Sequence, residues 1–188
     1  MPFIFEKQEI EDVIIIKPLS FGDSRGVFLE TYKKSDFIKN GIKDDFLQDN
    51  YSKSHKNVLR GLHFQKKPYE QSKLLRCIKG EILDIVIDIR PKSKTFKKYL
   101  KFNLSESNNN ILYIPKGFAH GFYVLSDIAE ISYKASVEYN KEYDCGIIWD
   151  DYSLKIDWNI KNPILSEKDK NLATLDTLIK EGVLWKYL

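Results

Sequence analysis

A short apolar stretch, VLRGLHFQ at residues 58–65, carries an arginine and a histidine whose side chains could do chemistry. Arg60 can bind an anion through its guanidinium fork, and His63 can take up or release a proton near neutral pH. Strict alternation along a strand would send these two side chains to opposite faces. We therefore predict that Gly61 marks a bulge or twist that lets both reach one site.

The chain has three histidines, His55, His63 and His120, and histidines within β-rich sequence first suggest a metal-binding cupin. Such a site usually needs ligands two positions apart, because alternate strand residues point the same way. Gln65 stands two residues after His63, and Phe118 stands two before His120. We therefore predict no metal site. His63 then has two interpretations, a hydrogen-bonded core histidine or a general base.

Further cationic and imidazole groups stand near glycine within apolar sequence, in QSKLLR (71–76) and IPKGFAHGF (114–122). Burying several such groups around one cavity would be costly unless an anionic ligand neutralised them. We therefore predict a site for a phosphorylated ligand, formed by Arg60, Lys73, Arg76 and His120.

Short strands must position these residues. Apolar and aromatic runs bounded by Gly, Pro, Asn, Asp or Lys predict strands at 12–17, 27–32, 58–65, 73–78, 82–89, 97–104, 111–114, 120–124, 129–138 and 147–149. Helical periodicity is confined to 35–41 and to a C-terminal tail from about 166 to 182. The pattern predicts an all-β fold with short flanking helices, as one domain spanning 1–188.

The strand EILDIVIDIR (81–90) has one wholly apolar face and one face on which Asp84 and Asp88 alternate with apolar residues. The second face fits a strand that lines a polar cavity, and it equally fits a solvated outer face. Asp84 is accordingly either a partner for a histidine of the site or a solvated carboxylate.

Charge and composition narrow the function classes. Lys+Arg exceed Asp+Glu by only 30 to 27, and the lysines are scattered, so we predict no nucleic-acid partner. The apolar run at 13–16 is too short for a signal peptide or a membrane span. Two distant cysteines, Cys77 and Cys145, favour neither a disulfide nor zinc. We predict a cytoplasmic protein with no membrane partner.

A series of ordered motifs carries a family resemblance: FGDSRGVFLE (21–30), Gln48 and Asn50, VLRGLHFQ, QSKLLRCIKGEILDIVIDIR (71–90), LYIPKGFAHGFYVLSD (112–127), AEISYKASVEY (129–139), GIIWDD (146–151) and ILSEKD (164–169). In this order and spacing, the chain resembles the nucleotide-sugar 3,5-epimerases, the dTDP-4-dehydrorhamnose 3,5-epimerase family. The resemblance covers about residues 10–170.

The resemblance implies a cofactor-free cupin-type jelly roll that acts as a homodimer, with N-terminal segments completing the neighbouring subunit's site. It also implies an enzyme that inverts C3 and C5 of a nucleotide-linked 4-keto-6-deoxy sugar, with dTDP-4-keto-6-deoxy-D-glucose giving dTDP-4-keto-L-rhamnose. The frequent use of Lys, Asn and Ile separately indicates an AT-rich bacterial genome. The motifs match the catalytic base to His63, its carboxylate partner to Asp169, the enolate-stabilising cation to Lys73 and the opposing acid to Tyr133.

The same resemblance supplies substrate-binding positions. It implies that Arg60 binds the diphosphate or sugar. It also implies that a further set of residues lies near the nucleotide or lines the site: Arg25, Phe28, Glu30, Gln48, Asn50, His120 and Tyr139. Taken alone, Arg25 would be a turn residue in GDSRG, and Tyr133 would be a packing residue of a strand. The chain departs from the family at Asp144, where glutamate is usual, and a contact there is expected to be lost.

Other functions remain open at this level. The same catalytic residues occur in relatives that act on a GDP-linked 4-keto-6-deoxy heptose, or that invert C3 alone. A 3,4-ketoisomerase, a metal-dependent cupin enzyme and a non-catalytic sugar-nucleotide sensor are the remaining alternatives. The carbons at which deuterium exchanges would distinguish the ketoisomerase and the C3-only epimerase. Elemental analysis would identify a metal enzyme, and ligand binding without exchange would identify a sensor.

Overall fold

The computed structural model describes residues 2–184; Met1 and residues 185–188, the two ends of the predicted domain, lie outside the described residues. The strands are β1 (Phe3–Lys7), β2 (Ile14–Pro18), β3 (Ser20–Asp23), β4 (Gly26–Leu29), β5 (Gln48–His55), β6 (Leu59–Gln65), β7 (Lys73–Lys79), β8 (Glu81–Asp88), β9 (Tyr99–Ser105), β10 (Ile111–Ile114), β11 (Phe118–Val124), β12 (Ile128–Ala135) and β13 (Asp144–Gly146). The helices are α1 (Lys34–Lys39), α2 (Glu167–Lys170) and α3 (Leu175–Lys180).

Two antiparallel sheets face each other. One has six strands in the order β1-β2-β10-β7-β12-β5, and the other has five in the order β13-β6-β11-β8-β9. The strands β3 and β4 form a separate two-stranded ribbon. The predicted all-β jelly roll with short flanking helices is confirmed.

Alternating side chains build three apolar layers. Leu75 and Ile131 from the six-stranded sheet pack with Val86 and Phe122 from the five-stranded sheet between the two sheets. The outer face of the five-stranded sheet is covered by the C-terminal segment, including Trp158, Leu175 and Leu178. Helix α1 covers part of the outer face of the six-stranded sheet through Phe37. Both faces of the five-stranded sheet are therefore buried.

Strand β8, an interior strand of the five-stranded sheet, is buried on both faces. Its apolar face packs under the C-terminal segment, and its mixed face points between the sheets, where Asp84 and Asp88 are fully buried. The interpretation of this face as a solvated surface is wrong. Asp88 is bound by Arg90, Ser93 and Thr95, which leaves Asp84 as the buried carboxylate on the cavity side.

Several elements differ from the sequence-based expectations. β5 was not predicted, because QDNYSKSH lacks apolar alternation, yet it pairs with β12 along its whole length. The strand expected at 147–149 lies instead at Asp144–Gly146. In the tail, α2 and α3 are each short and begin at the capping side chains of Ser166 and Thr174. No helix within residues 2–184 is long and apolar enough to cross a membrane.

Candidate active site

A cavity of about 320 Å³ opens between the two sheets. Strands of both sheets and helix α2 contribute to its lining. The predicted site residues that line it are Arg60, His63, Lys73, His120, Tyr133 and Tyr139. Because the sheets face each other, His63 and His120 on the five-stranded sheet lie across the cavity from Lys73 and Tyr133 on the six-stranded sheet.

The bulge predicted at Gly61 is confirmed. His120 pairs with His63 and Phe122 pairs with Arg60, so β6 has one more residue than β11 between these pairs. Gly61 has φ +131°, and a Cβ there would lie 2.4 Å from the Cα of Gly121. Only glycine fits this close approach of two strands. The extra residue brings both Arg60 and His63 to the cavity.

His63 is held by Asp169. Its Nε2 lies 2.6 Å from Oδ1 of Asp169, which is buried on α2. Burial alone would raise the pKa of Asp169, but hydrogen bonds with His63 and with the Ser166 cap lower it overall, so the carboxylate is ionised. An ionised carboxylate only accepts, so Nε2 carries the proton and the basic lone pair of His63 is on Nδ1.

Lys73 is a buried cation facing the cavity, 9% exposed, and its ammonium makes no hydrogen bond or ion pair within residues 2–184. Burial lowers its pKa to about 8, partly offset by the charges of Asp84 and Asp144. An unpaired cation in this position favours binding of an anion or of an oxygen that becomes negative.

Beneath Lys73 lies a second buried histidine–aspartate pair. Nδ1 of His120 is 3.4 Å from Oδ2 of Asp84, and Oδ1 of Asp84 has no hydrogen-bond partner within the described chain. Burial raises the pKa of Asp84 well above its usual value, against the attraction of Lys73. Burial, with Lys73 and His63 nearby, lowers the pKa of His120 well below its usual value, so His120 is neutral at pH 7.

Tyr133 supplies an acidic hydrogen on the opposite wall. It is partly buried on β12, where it pairs with Leu75 of β7 and Asn50 of β5. Burial raises the pKa of its phenol; the charge of Asp144 raises it further and that of Arg60 lowers it. Tyr133 is therefore protonated at neutral pH and can donate.

Arg60 reaches the cavity from an exposed position, and its Nε donates to the hydroxyl of Ser54 at 3.0 Å. The prediction that Arg76 joins this cluster is wrong. Arg76 lies three residues after Lys73 on β7 and points to the outer face, where it lines a small recess with Thr31 and Ser132. Alternation along the strand separates the two cations.

The predicted nucleotide-binding residues fall into two groups. Gln48 and Asn50 lie on β5 beside the cavity; Gln48 donates to Asn50 and accepts the backbone N–H of Tyr139 at 2.7 Å. Arg25 and Phe28 lie on the exposed β3–β4 ribbon, and Glu30 follows it. Within one chain none of these five residues lines the cavity itself.

Five cavity-lining polar residues are not among the predicted site residues: Ser52, Gln65, Gln71, Asp144 and Lys168. Gln71 Nε2 donates to the carbonyl of Val137 at 2.6 Å. Asp144, which departs from the glutamate expected at this position, binds both Tyr139 and Lys168. Lys168 directly precedes Asp169 in the SEKD motif, a position that could have suggested it.

This arrangement can move a proton between two faces of a bound molecule. A base oriented by a carboxylate stands on one wall, a neutral phenol on the other, and a buried cation can stabilise a developing oxyanion. Residues 2–184 contain no group of three or more histidine, cysteine, aspartate or glutamate side chains that could hold a metal ion.

Comparisons with known proteins agree with this chemistry. Residues 7–177 match the family model described as dTDP-4-dehydrorhamnose 3,5-epimerase. The Escherichia coli K12 protein of that name is 52% identical over 176 residues, covering 93% of this chain and 95% of the relative. The enzyme from Methanothermobacter thermautotrophicus is 46% identical, covering 92% and 95%.

A solved structure is similarly close. The crystal structure of dTDP-6-deoxy-D-glucose-3,5-epimerase from Legionella pneumophila Philadelphia 1, in complex with dTDP-4-keto-L-rhamnose, has a TM-score of 0.92 and 39% identity. The alignment covers 96% of this chain and 97% of that chain. The similarity therefore extends over the whole fold.

Proposed function

Because the chain belongs to the dTDP-4-dehydrorhamnose 3,5-epimerase family, we propose that it converts dTDP-4-keto-6-deoxy-D-glucose to dTDP-4-keto-L-rhamnose by inverting C3 and C5. Membership of the family makes it an isomerase of the epimerase class. The relatives named for this activity and the Legionella structure with its bound keto sugar support the choice of substrate.

The observation that carries the proposed mechanism is the placement of acid and base on opposite walls. The His63–Asp169 pair is on the five-stranded sheet side, and Tyr133 is on the six-stranded sheet. Inversion at a carbon requires that the proton leave from one face and return to the other. A base and an acid on the same wall would return the proton to the face it left.

In the proposed reaction, Nδ1 of His63 removes the proton from the carbon next to the C4 ketone, and the C–H electrons form an enolate. Asp169 stabilises the imidazolium produced. The ammonium of Lys73 stabilises the negative oxygen at C4. The phenol of Tyr133 then donates its proton to the opposite face of the same carbon. Both groups re-equilibrate with solvent before the second carbon reacts.

The remaining cavity residues bind the substrate in this proposal. The guanidinium of Arg60 presents paired N–H donors that suit the oxygens of the diphosphate or sugar. His120, held neutral by burial, offers a hydrogen bond to the sugar without adding charge. Gln48 and Asn50 lie near Tyr139 on the side from which we expect the nucleotide to extend.

We further propose a cytoplasmic homodimer in which the β3–β4 ribbon of one subunit completes the site of the other. The ribbon exposes Phe21, Val27 and Phe28, each more than half accessible, which is costly for a lone chain. Covering these side chains with a second copy would bring Arg25, Phe28 and Glu30 to the nucleotide end of the cavity. No nucleic-acid or membrane partner is required.

Proton NMR in D₂O tests the function directly. The protein is mixed with dTDP-4-keto-6-deoxy-D-glucose and, separately, with a GDP-linked 4-keto-6-deoxy heptose, and deuterium entry at C3 and C5 is followed. We expect rapid entry at both carbons of the dTDP sugar. Preference for the GDP heptose would keep the mechanism and change the substrate. Entry at C3 alone would reject double inversion, and entry with neither sugar would reject the proposed function.

A further inference from the structure

A cluster of three side chains from separate elements bridges the opening of the cavity. Oδ2 of Asp144 on β13 accepts a hydrogen bond from the hydroxyl of Tyr139 at 2.9 Å. The same oxygen accepts a hydrogen bond from the ammonium of Lys168 on α2. The backbone N–H of Tyr139 is bound to Gln48 at 2.7 Å. We call Tyr139, Asp144 and Lys168 the mouth cluster. The side chain of Asp144 is 14% exposed, whereas Lys168 and Tyr139 reach solvent.

Helix α2 depends on such outside contacts. It has only four residues, and a single helical turn is unstable by itself. Its N-terminus is capped by Ser166, whose hydroxyl accepts the backbone N–H of Asp169 at 3.0 Å. Two adjacent side chains then tie the turn to the five-stranded sheet, Asp169 to His63 and Lys168 to Asp144.

We propose that Asp144 is a positioning residue, which fixes α2 through Lys168 and thereby keeps Asp169 in place on His63. The inference rests on the proposed function for its effect on catalysis. It does not rest on that function for its effect on α2. The carboxylate of Asp144 makes both contacts of the mouth cluster.

The first experiment measures α2 without substrate. Hydrogen–deuterium exchange of the backbone amides of residues 166–172 is followed by mass spectrometry in wild type, Asp144→Asn and Lys168→Met. Asparagine keeps an oxygen for Tyr139 but loses the charge that binds Lys168. We expect exchange to be about tenfold faster in both variants, since a hydrogen bond to a charged group is lost. Lys170→Met is the matched control, because Lys170 lies on the same turn and, within residues 2–184, its only ion pair is with exposed Glu167.

The second experiment measures turnover with the dTDP sugar. We expect kcat of Asp144→Asn to fall about tenfold with a much smaller change in KM, and Asp144→Glu to restore it. The double variant Asp144→Asn/Lys168→Met should lose no more than the worse single variant, because both changes break one interaction.

The outcomes separate this inference from the proposed function. Unchanged exchange at 166–172 with a raised KM would mean that the mouth cluster only contacts ligand, and would overturn the inference. Equally fast exchange in Lys170→Met would reduce the effect to general fraying of α2, and would also overturn it. If wild type turns over neither sugar, the proposed function fails, while the exchange experiment still decides whether Asp144 fixes α2.

Discussion

Nε2 of His63 lies 2.6 Å from Oδ1 of Asp169, although 106 residues separate them along the chain. The contact joins a strand of the five-stranded sheet to a helix of the C-terminal segment. It leaves Nδ1 of His63 as the basic nitrogen of a cavity-lining side chain. This one contact sets the tautomer of the proposed base, so its loss should be visible in the chemical step.

We expect His63→Ala to lower deuterium entry at both C3 and C5 by about 10²–10⁴-fold, the usual contribution of a general base. Affinity for dTDP should stay close to that of wild type, because we propose that other residues bind the nucleotide. Proton NMR in D₂O measures the first quantity and calorimetric titration the second. His55→Ala is the control, since His55 is exposed and outside the cavity. Wild-type turnover in His63→Ala would reject the proposed base.

Tyr133→Phe should separate proton removal from inversion. The variant keeps the ring that packs between the sheets but loses the hydroxyl that we propose as the acid. We expect deuterium to enter C3 and C5 from the His63 side while formation of the inverted sugar falls about 10²-fold or more. NMR reads both quantities in one sample. Equal loss of exchange and inversion would assign Tyr133 a packing or positioning role instead.

The pKa of Lys73 predicts an alkaline limit on activity. Burial lowers this pKa to about 8, so the ammonium is charged below that pH and loses its proton as the pH rises through it. Loss of the charge removes the proposed enolate stabiliser, so kcat/KM should decline above about pH 8. The limit on kcat should lie at higher pH, because a bound anionic substrate favours the charged lysine.

The corresponding variant is Lys73→Met, which keeps the length and the packing of the side chain. We expect about a 10²–10³-fold loss at pH 7, with the decline above pH 8 absent from the remaining activity. Steady-state rates between pH 6 and 10 would show both effects. A wild-type profile that stays flat to pH 10, or an unchanged alkaline decline in Lys73→Met, would contradict the assignment.

Parts of this site follow from local sequence and parts do not. Alternation predicted that Arg60 and His63 needed a bulge at Gly61 to share a cavity, and the strand register confirms it. The same alternation along β7 places Arg76, three residues after Lys73, on the opposite face, so the two cations do not share the cavity. Period-two arguments therefore succeed along regularly paired stretches of a strand, and a bulge such as the one at Gly61 reverses them.

Tertiary pairing explains what the sequence did not predict. β5 is polar on both faces, because one face borders the cavity and the other meets solvent, so no hydrophobic pattern marks it. Asp144 and Lys168 are 24 residues apart and meet only when β13 and α2 pack together. The exposed ribbon residues Arg25 and Phe28 lie outside the cavity of a single chain, and only a resemblance to other proteins suggested their role.

Gly61 should be the most sensitive glycine of the site. Alanine there would have to adopt a φ of +131°, and its Cβ would lie 2.4 Å from the Cα of Gly121. We expect Gly61→Ala to lower the free energy of unfolding by about 3 kcal/mol or more, combining backbone strain and overpacking. Gly41→Ala is the control: φ is +92° but the space is open, so a loss of about 1–2 kcal/mol is expected. Equal urea midpoints for the two variants would contradict the steric argument.

The shared-site dimer predicts complementation between two inactive variants. His63→Ala lacks the base but keeps an intact β3–β4 ribbon, whereas the double variant Arg25→Ala/Phe28→Ala keeps the base and has a truncated ribbon. In a mixed dimer, the ribbon of the first subunit can complete the cavity of the second, giving one intact site.

If dissociated subunits recombine at random, half of the dimers are mixed and each has one intact site of two, so the equimolar mixture should recover about a quarter of wild-type turnover. Each variant alone should be nearly inactive. The mixture of His63→Ala with Asp169→Asn is the control, because each of these substitutions disables the cavity of the chain that carries it. In that control a mixed dimer still has one defect in each cavity, so no activity returns. A ribbon variant that is fully active alone, or a mixture that stays inactive although mass spectrometry finds mixed dimers, would show that each chain completes its own site.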